Sequence, residues 1–196
     1  MLKRKCSFGE VNNKMNFLFN ENKAIAVLLF VTKKLYVEGI KPDLHKVFKI
    51  IYFADQKHLV GYGRPVLIGD DYIAMNHGPV PSRIYDMIKI IRGDALNCTC
   101  RDYTGVLQVT GHYLIPVAEP DMEELSESDV TCLLESLSEN KLLSFSDLRD
   151  KSHDGAYNKA GKDDKISLKE IAKVAGADHT MLKYLSAKLE AEAAFL

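Results

Sequence analysis

The stretch Tyr52-Phe53-Ala54-Asp55-Gln56-Lys57-His58-Leu59, followed by Tyr62-Gly63-Arg64-Pro65, Gly69-Asp70-Asp71-Tyr72-Ile73-Ala74 and His77-Gly78-Pro79-Val80-Pro81-Ser82-Arg83-Ile84-Tyr85, decides how the chain reads. Its first part ends an amphipathic helix that starts at Asp43 and runs to about Val60, with Leu44, Val47, Phe48, Ile51, Ala54 and Leu59 on one stripe. Gly61 and Gly63 close that helix. Pro65–Ile68 and Tyr72–Met75 flank Gly69-Asp70-Asp71 and are expected to form a β-hairpin. His77–Pro81 is expected to be irregular, because two prolines and a glycine interrupt it. Ser82 then caps a helix to about Arg92, with Ile84, Met87, Ile88 and Ile91 inward.

Asp55 and His58 lie three residues apart, so they share a helix face that borders the apolar stripe. A carboxylate beside a core needs hydrogen-bond donors. The backbone of Asn76–Ser82 supplies unpaired groups, so Asp55 is expected to tie the helix to the His77–Pro81 loop. The competing reading is a metal or acid–base site from Asp55, His58, Asp70, Asp71 and His77. No second ligand motif accompanies these residues, so the structural tie is preferred and no metal is assigned.

Working outward, a helix over Asn22–Glu38 carries Ala24, Val27, Leu28, Val31 and Leu35 at helical spacing, with Asn20 or Asn22 as cap. A second hairpin is expected over Val106–Val109 and Tyr113–Val117, turning at Gly111. Ser126 caps a helix to about Ser138, and Ser146 caps a short one to about His153. Ser167 and Glu170 make a capping box that opens a helix to Ala175, and the last helix starts at Asp178. Residues 1–14 show no period and read as a flexible leader ahead of one domain over 15–196. The expected architecture is mainly α: about seven helices around one core, with two small β-hairpins.

The chain has 196 residues, a formal net charge of -1 and 46% hydrophobic residues. That length supports a sizeable core without disulfides. A near-neutral chain exerts no general pull toward nucleic acid or an anionic membrane. No apolar run reaches a membrane span and no secretory leader is visible, so a cytoplasmic protein with free thiols is expected. Cys98 and Cys100 lack a second cysteine pair for zinc. Ser152-His153-Asp154 names triad residue types, but consecutive residues cannot form a triad. Glu119–Asp150 is rich in acids and reads as solvated surface or as a docking face for a basic partner.

Taken together, Tyr52, Ala54, Asp55, His58, Gly63, Tyr72, Ala74, His77-Gly78-Pro79-Val80 and Tyr85 resemble the Panacea domain of SocA-like antitoxins, a family associated with phage and toxin–antitoxin loci. The resemblance continues through Leu148, His153 and Tyr157 and covers about 15–190. It implies a mainly helical protein, without catalysis or cofactor, that neutralises a cognate toxin by direct binding. It marks Tyr52, Asp55, His58, Tyr72, His77, Gly78, Pro79, Val80, Tyr85, His153 and Tyr157 as structural or partner-binding positions. Members often carry Trp at the position of Tyr157, whereas this chain has no Trp. The alternative function is DNA-associated regulation. Ile171-Ala172, Gly176-Ala177, Leu182 and Leu185 have helix-turn-helix spacing, and Lys183 and Lys188 could meet operator DNA. That helix carries no Arg and begins with Asp178, so the packing reading of the segment is preferred.

Overall fold

A computed structural model describes residues 19–94, 103 and 105–194. The flexible leader expected over 1–14, Cys6, Cys98 and Cys100 lie outside the described residues. The described chain contains eight α-helices and two separate two-stranded antiparallel sheets.

Two helices form the centre. Helix α1 (Glu21–Val37) starts where the Asn20 side chain accepts from the Lys23 amide at 3.0 Å. Ala24, Val27, Leu28, Val31 and Leu35 are buried as their spacing predicts, and Ala26, Leu29 and Phe30 join them. Helix α2 (Leu44–Tyr62) starts where the Asp43 side chain accepts from the Lys46 amide at 2.9 Å. It ends at Gly63, whose φ of 64° is a left-handed cap. Helix α2 packs against α1, α4 (Glu127–Asn140), α5 (Phe145–Ser152), α7 (Leu168–Val174) and strand β2 (Gly78–Pro81), so it is buried on nearly every side.

The first hairpin differs from expectation. Strand β1 (Tyr72–Met75) pairs with β2, in the register Tyr72↔Pro81, Ile73↔Val80, Ala74↔Pro79 and Met75↔Gly78. The turn is therefore Asn76-His77, and His77–Pro81 is not irregular. Its prolines fit because they stand opposite residues that bond away from β2. The Ala74 amide donates to the Asp164 carbonyl at 2.9 Å, and the Tyr72 carbonyl accepts from the Ile166 amide at 2.7 Å. Pro79 and Pro81 occupy positions where no ladder donor is required. Pro65–Ile68 forms no strand, since the Val66 and Leu67 amides bond to a side chain instead.

Helix α3 (Ser82–Arg92) is capped by a distant residue rather than by Ser82. The buried Asp70 carboxylate accepts from the Arg83 amide at 2.9 Å, the Ile84 amide at 3.1 Å and the Ser82 hydroxyl at 3.2 Å. Strands β3 (Leu107–Thr110) and β4 (Tyr113–Pro116) form the second hairpin, with Gly111 at φ 62° in the turn. Ser126 and Asp129 make a reciprocal capping box for α4. Helix α5 is capped by Ser144 with Asp147, two residues before the expected Ser146. A short α6 (Gly155–Lys159), unanticipated, starts at Asp154. Ser167 precedes α7 without a side-chain cap, because Glu170 pairs with Lys159 at 2.7 Å instead. Asp178 accepts from the Met181 amide and opens α8 (His179–Ala194).

Candidate functional site

The motif residues separate into two polar clusters on α2. At its C-terminal end, Asp55 is fully buried and accepts from the Val66 amide at 2.6 Å, the Leu67 amide at 3.2 Å and the Tyr72 hydroxyl at 2.7 Å. The tie from Asp55 therefore goes to the 66–67 segment and β1, not to the His77–Pro81 segment. The amides of 66–67 come free because that segment joins no sheet. Burial pushes the Asp55 carboxyl up to about 6, against the pull of its three donors. Burial, and then the charge of the same carboxylate, raises the Tyr72 phenol well above its ordinary 10.0.

One helical turn on, His58 is also fully buried. Its Nδ1 donates to the Arg64 carbonyl at 2.8 Å, while Nε2 faces the Ser128 hydroxyl at 2.9 Å and Asp129 at 3.2 Å. Asp129 receives Lys23 at 2.5 Å and Arg64 at 3.0 Å, besides its capping bonds to Ser126. Burial alone would raise the Asp129 carboxyl. Hydrogen bonds from His58, Lys23 and Ser126 outweigh it and hold the group far below its ordinary 3.8. This cluster joins α1, α2 and α4, and every charged group in it has a partner.

The second cluster surrounds Gly78. Its φ is 98°, and a Cβ there would lie 2.5 Å from the Ser152 hydroxyl and 2.9 Å from the Lys49 Nζ. Both the conformation and the close approach require glycine. Lys49 is 1% exposed and donates to the Pro79 carbonyl at 2.7 Å. No carboxylate stands within 4.0 Å of its ammonium among the described residues. Burial pushes its pKa down to about 7. Tyr157 donates to the Met75 carbonyl at 2.9 Å, and Tyr52 donates to Asp154 at 2.8 Å. His153 stacks on Tyr157 with ring centres 4.1 Å apart, and its Nε2 is buried without a partner. Tyr157 thus holds the hairpin onto α6.

Beside Gly78 a cleft of about 790 Å³ opens between α2, the β1–β2 turn, the β3–β4 turn and α5. Phe48, Tyr85, Tyr113 and Phe145 form apolar walls, and Val80 reaches the same space. His45 and Lys49 come from successive turns of α2, and His77 stands at the mouth. His45 stacks on Phe145 at 4.0 Å. Its Nε2 donates to the His77 carbonyl at 3.2 Å, and its Nδ1 is buried with no partner. Burial and the Lys49 charge lower the His45 pKa to about 4. The imidazole is therefore neutral, and its Nδ1 lone pair is unused.

A family model described as antitoxin SocA-like, Panacea domain, matches residues 47–157, more than half of the chain. The chain belongs to this family. No curated protein and no solved structure matches it. The match spans most of α2 into α6, so most of both polar clusters of this SocA-like protein lies inside it, while Lys23 of α1 lies before it and α7 and α8 lie beyond it.

The remaining candidate residues are dispersed. Asp55, His58, Asp70, Asp71 and His77 do not converge, and among the described residues no group of three or more His, Cys, Asp or Glu could hold a metal. No described helix is long and apolar enough to cross a membrane. Much of the acidic 119–150 stretch meets its own chain: Glu119 pairs with Lys33, Glu135 and Glu139 with Lys57, and Asp150 with Arg149, while Asp129 and Asp147 cap helices. Lys183 is exposed and Lys188 half-buried on α8. Sequence reading missed His45, Lys49 and Phe145. Lys49 and His45 carried a signal: a lysine inside Val47-Phe48-Lys49-Ile50-Ile51 is flanked by core residues, and His45 precedes it by one turn; Phe145 carried none.

Proposed function

We propose that this SocA-like protein is a non-catalytic antitoxin that neutralises a cognate toxin by binding it directly in the cytoplasm, with the cleft beside Gly78 as the docking site. Family membership carries the reading. The cleft supports its placement, because Tyr85, Val80 and His77 of the motif meet exposed aromatic rims there: Phe145 is 49% and Tyr113 45% exposed. Aromatic side chains at a concave surface are favourable anchors for a protein partner. On this reading Tyr52, Asp55, His58, Tyr72, Gly78, Pro79 and Tyr157 shape the cleft from behind, and His77, Val80 and Tyr85 touch the partner.

The test is growth rescue combined with co-purification. The product of the neighbouring gene is expressed alone and then with this chain. Restored growth together with a stable complex is the expected result. A harmless neighbour, or a toxin that never associates, overturns the reading. A second reading, operator binding, has one observation in its favour: α7 and α8 meet through Gly176 at φ 95°, with Lys173 and Lys183 exposed. A band-shift with the upstream DNA at low salt tests it, and no shift removes it.

A further inference from the structure

We propose that the cleft receives a carboxylate-bearing segment of the partner protein, an Asp or Glu flanked by an aromatic or large aliphatic residue, with the carboxylate over Lys49, His45 and His77. The inference rests on the docking reading above and specifies its chemistry.

Three observations carry it. The Lys49 ammonium has three donor hydrogens, and one described acceptor, the Pro79 carbonyl, receives it. A buried cation without a counter-charge is costly, and an incoming anion relieves that cost. The His45 Nδ1 is a buried ring nitrogen without a partner. A carboxylate beside it would draw a proton onto that nitrogen and convert it into a donor. His77 is exposed at the mouth, where its ring packs edge-on against Phe145 at 5.4 Å. Two acids also line the cleft. Asp43 spends its carboxylate on the Lys46 amide at the start of α2, and Asp163 is exposed at the edge beside Lys162. Neither forms an ion pair with Lys49.

The walls select the source of the carboxylate. Phe48, Tyr85, Tyr113, Phe145 and Met75 make an apolar enclosure around a single buried cation. A polyphosphate or a nucleic-acid backbone calls for several cationic donors. His45, His77 and His112 and a second lysine, Lys162, also line the cleft, but Lys162 is exposed beside Asp163, so the one buried lysine between aromatic rings matches one carboxylate beside an apolar side chain.

The experiment uses the full chain and a panel of labelled nonapeptides with a central Phe-Asp-Phe or Leu-Glu-Phe, each paired with its Asn or Gln counterpart. Fluorescence anisotropy at low salt gives the affinities. The acidic peptides are expected to bind at least tenfold more tightly than the amides, and Lys49→Met and His77→Glu should each abolish the preference. His77 is exposed, so His77→Glu keeps the test informative even where Lys49→Met fails to fold. Equal affinity for acid and amide overturns the inference. So does inorganic phosphate that displaces the acidic peptides as effectively as a competing acidic peptide does, since the site is then a small-anion site. Growth rescue separates the two levels. Rescue that survives in a folded His77→Glu protein overturns the cleft chemistry and leaves the antitoxin reading standing. Acid-selective peptide binding without any rescue by the wild-type chain supports the cleft chemistry and overturns the antitoxin reading.

Discussion

Helix α2 carries two sets of buried polar groups, and they have been treated in opposite ways. Around His58, the charges of Lys23, Arg64 and Asp129 meet within 3.0 Å, and Asp129 is completely enclosed. Among the described residues, the buried Lys49 ammonium has no carboxylate within 4.0 Å, and His45 and His153 each leave a buried ring nitrogen without a partner. Saturated polar networks hold elements in one arrangement. Unsatisfied ones are costly unless something outside the chain completes them. Polar saturation therefore separates the cluster that builds the fold from the cluster that has capacity left for a ligand, although residues of both occur in the family motif.

The largest effect expected is from Asp129→Asn. Removing the anion that serves buried Lys23 and half-buried Arg64 leaves the Lys23 ammonium without a counter-charge among the described residues, which costs about 3–5 kcal/mol. Because the Asp129 pKa is held far below its ordinary 3.8 in the folded state, its stabilisation is complete above 3.8, begins to decline below it and is lost only as pH falls through the folded-state value. Urea unfolding at pH 7 and pH 3 checks both points: the gap between wild type and variant should be wide at pH 7 and smaller by about 1 kcal/mol at pH 3, where the unfolded carboxyl is largely protonated and the folded one is still ionised. A variant as stable as wild type at pH 7 breaks the comparison at its structural end.

Asp55→Ala comes next, at about 3 kcal/mol, because it strands two amides and a tyrosine hydroxyl in the core. Thermal unfolding reads it directly, and an unchanged melting temperature rules out the tie. Gly78→Ala should cost about 2–3 kcal/mol, from the positive φ and the contact with the Ser152 hydroxyl. Adding Ser152→Ala should recover part of that loss, and a double-mutant cycle measures the coupling. No recovery would show that backbone conformation alone demands the glycine.

The smallest stability change sharpens the comparison most. Lys49→Met should alter stability at pH 7 by less than about 1 kcal/mol, because a similar-sized apolar side chain replaces an uncompensated buried charge. The Lys49 pKa is lowered from 10.5 to about 7 on folding, so the unfolded chain binds more protons between those values. Wild-type stability therefore gains a rising contribution from pH 7 toward 10.5, and the variant lacks it. Denaturant titrations of both proteins across that window give the difference. A loss of several kcal/mol in Lys49→Met at pH 7 would make Lys49 a structural residue like Asp129.

Much of the fold was legible because it rests on local rules. The apolar stripes of α1 and α2, the Asn20, Asp43, Ser126 and Asp178 helix starts and the Gly111 turn each follow from short-range spacing. The Ser144 cap of α5 and the Asp154 cap of α6 were local signals left unread, but three other errors share one cause. Gly69-Asp70-Asp71 has turn chemistry, yet Asp70 serves α3 thirteen residues away. Ser167 and Glu170 have capping-box spacing, yet Glu170 pairs with Lys159. Pro79 and Pro81 look like strand breakers until the 164–166 segment supplies the partners that β1 bonds on its other side. In each case a tertiary partner competed with the local one and won.

The candidate site divides in the same way. The sequence by itself determined a mainly helical chain with an aspartate and a histidine on one face of its central helix, and it carried the motif by which the family is identified, since periodicity, caps and residue identity need no knowledge of distant segments. Only the tertiary structure decided that His58, Lys23 and Arg64 converge on Asp129, that Lys49 meets none of the described acids, and that His45, His77 and Phe145 line a cleft. Whether a buried charge is satisfied depends on which residues are brought within hydrogen-bonding distance across tens of positions of chain, and no local pattern encodes that distance.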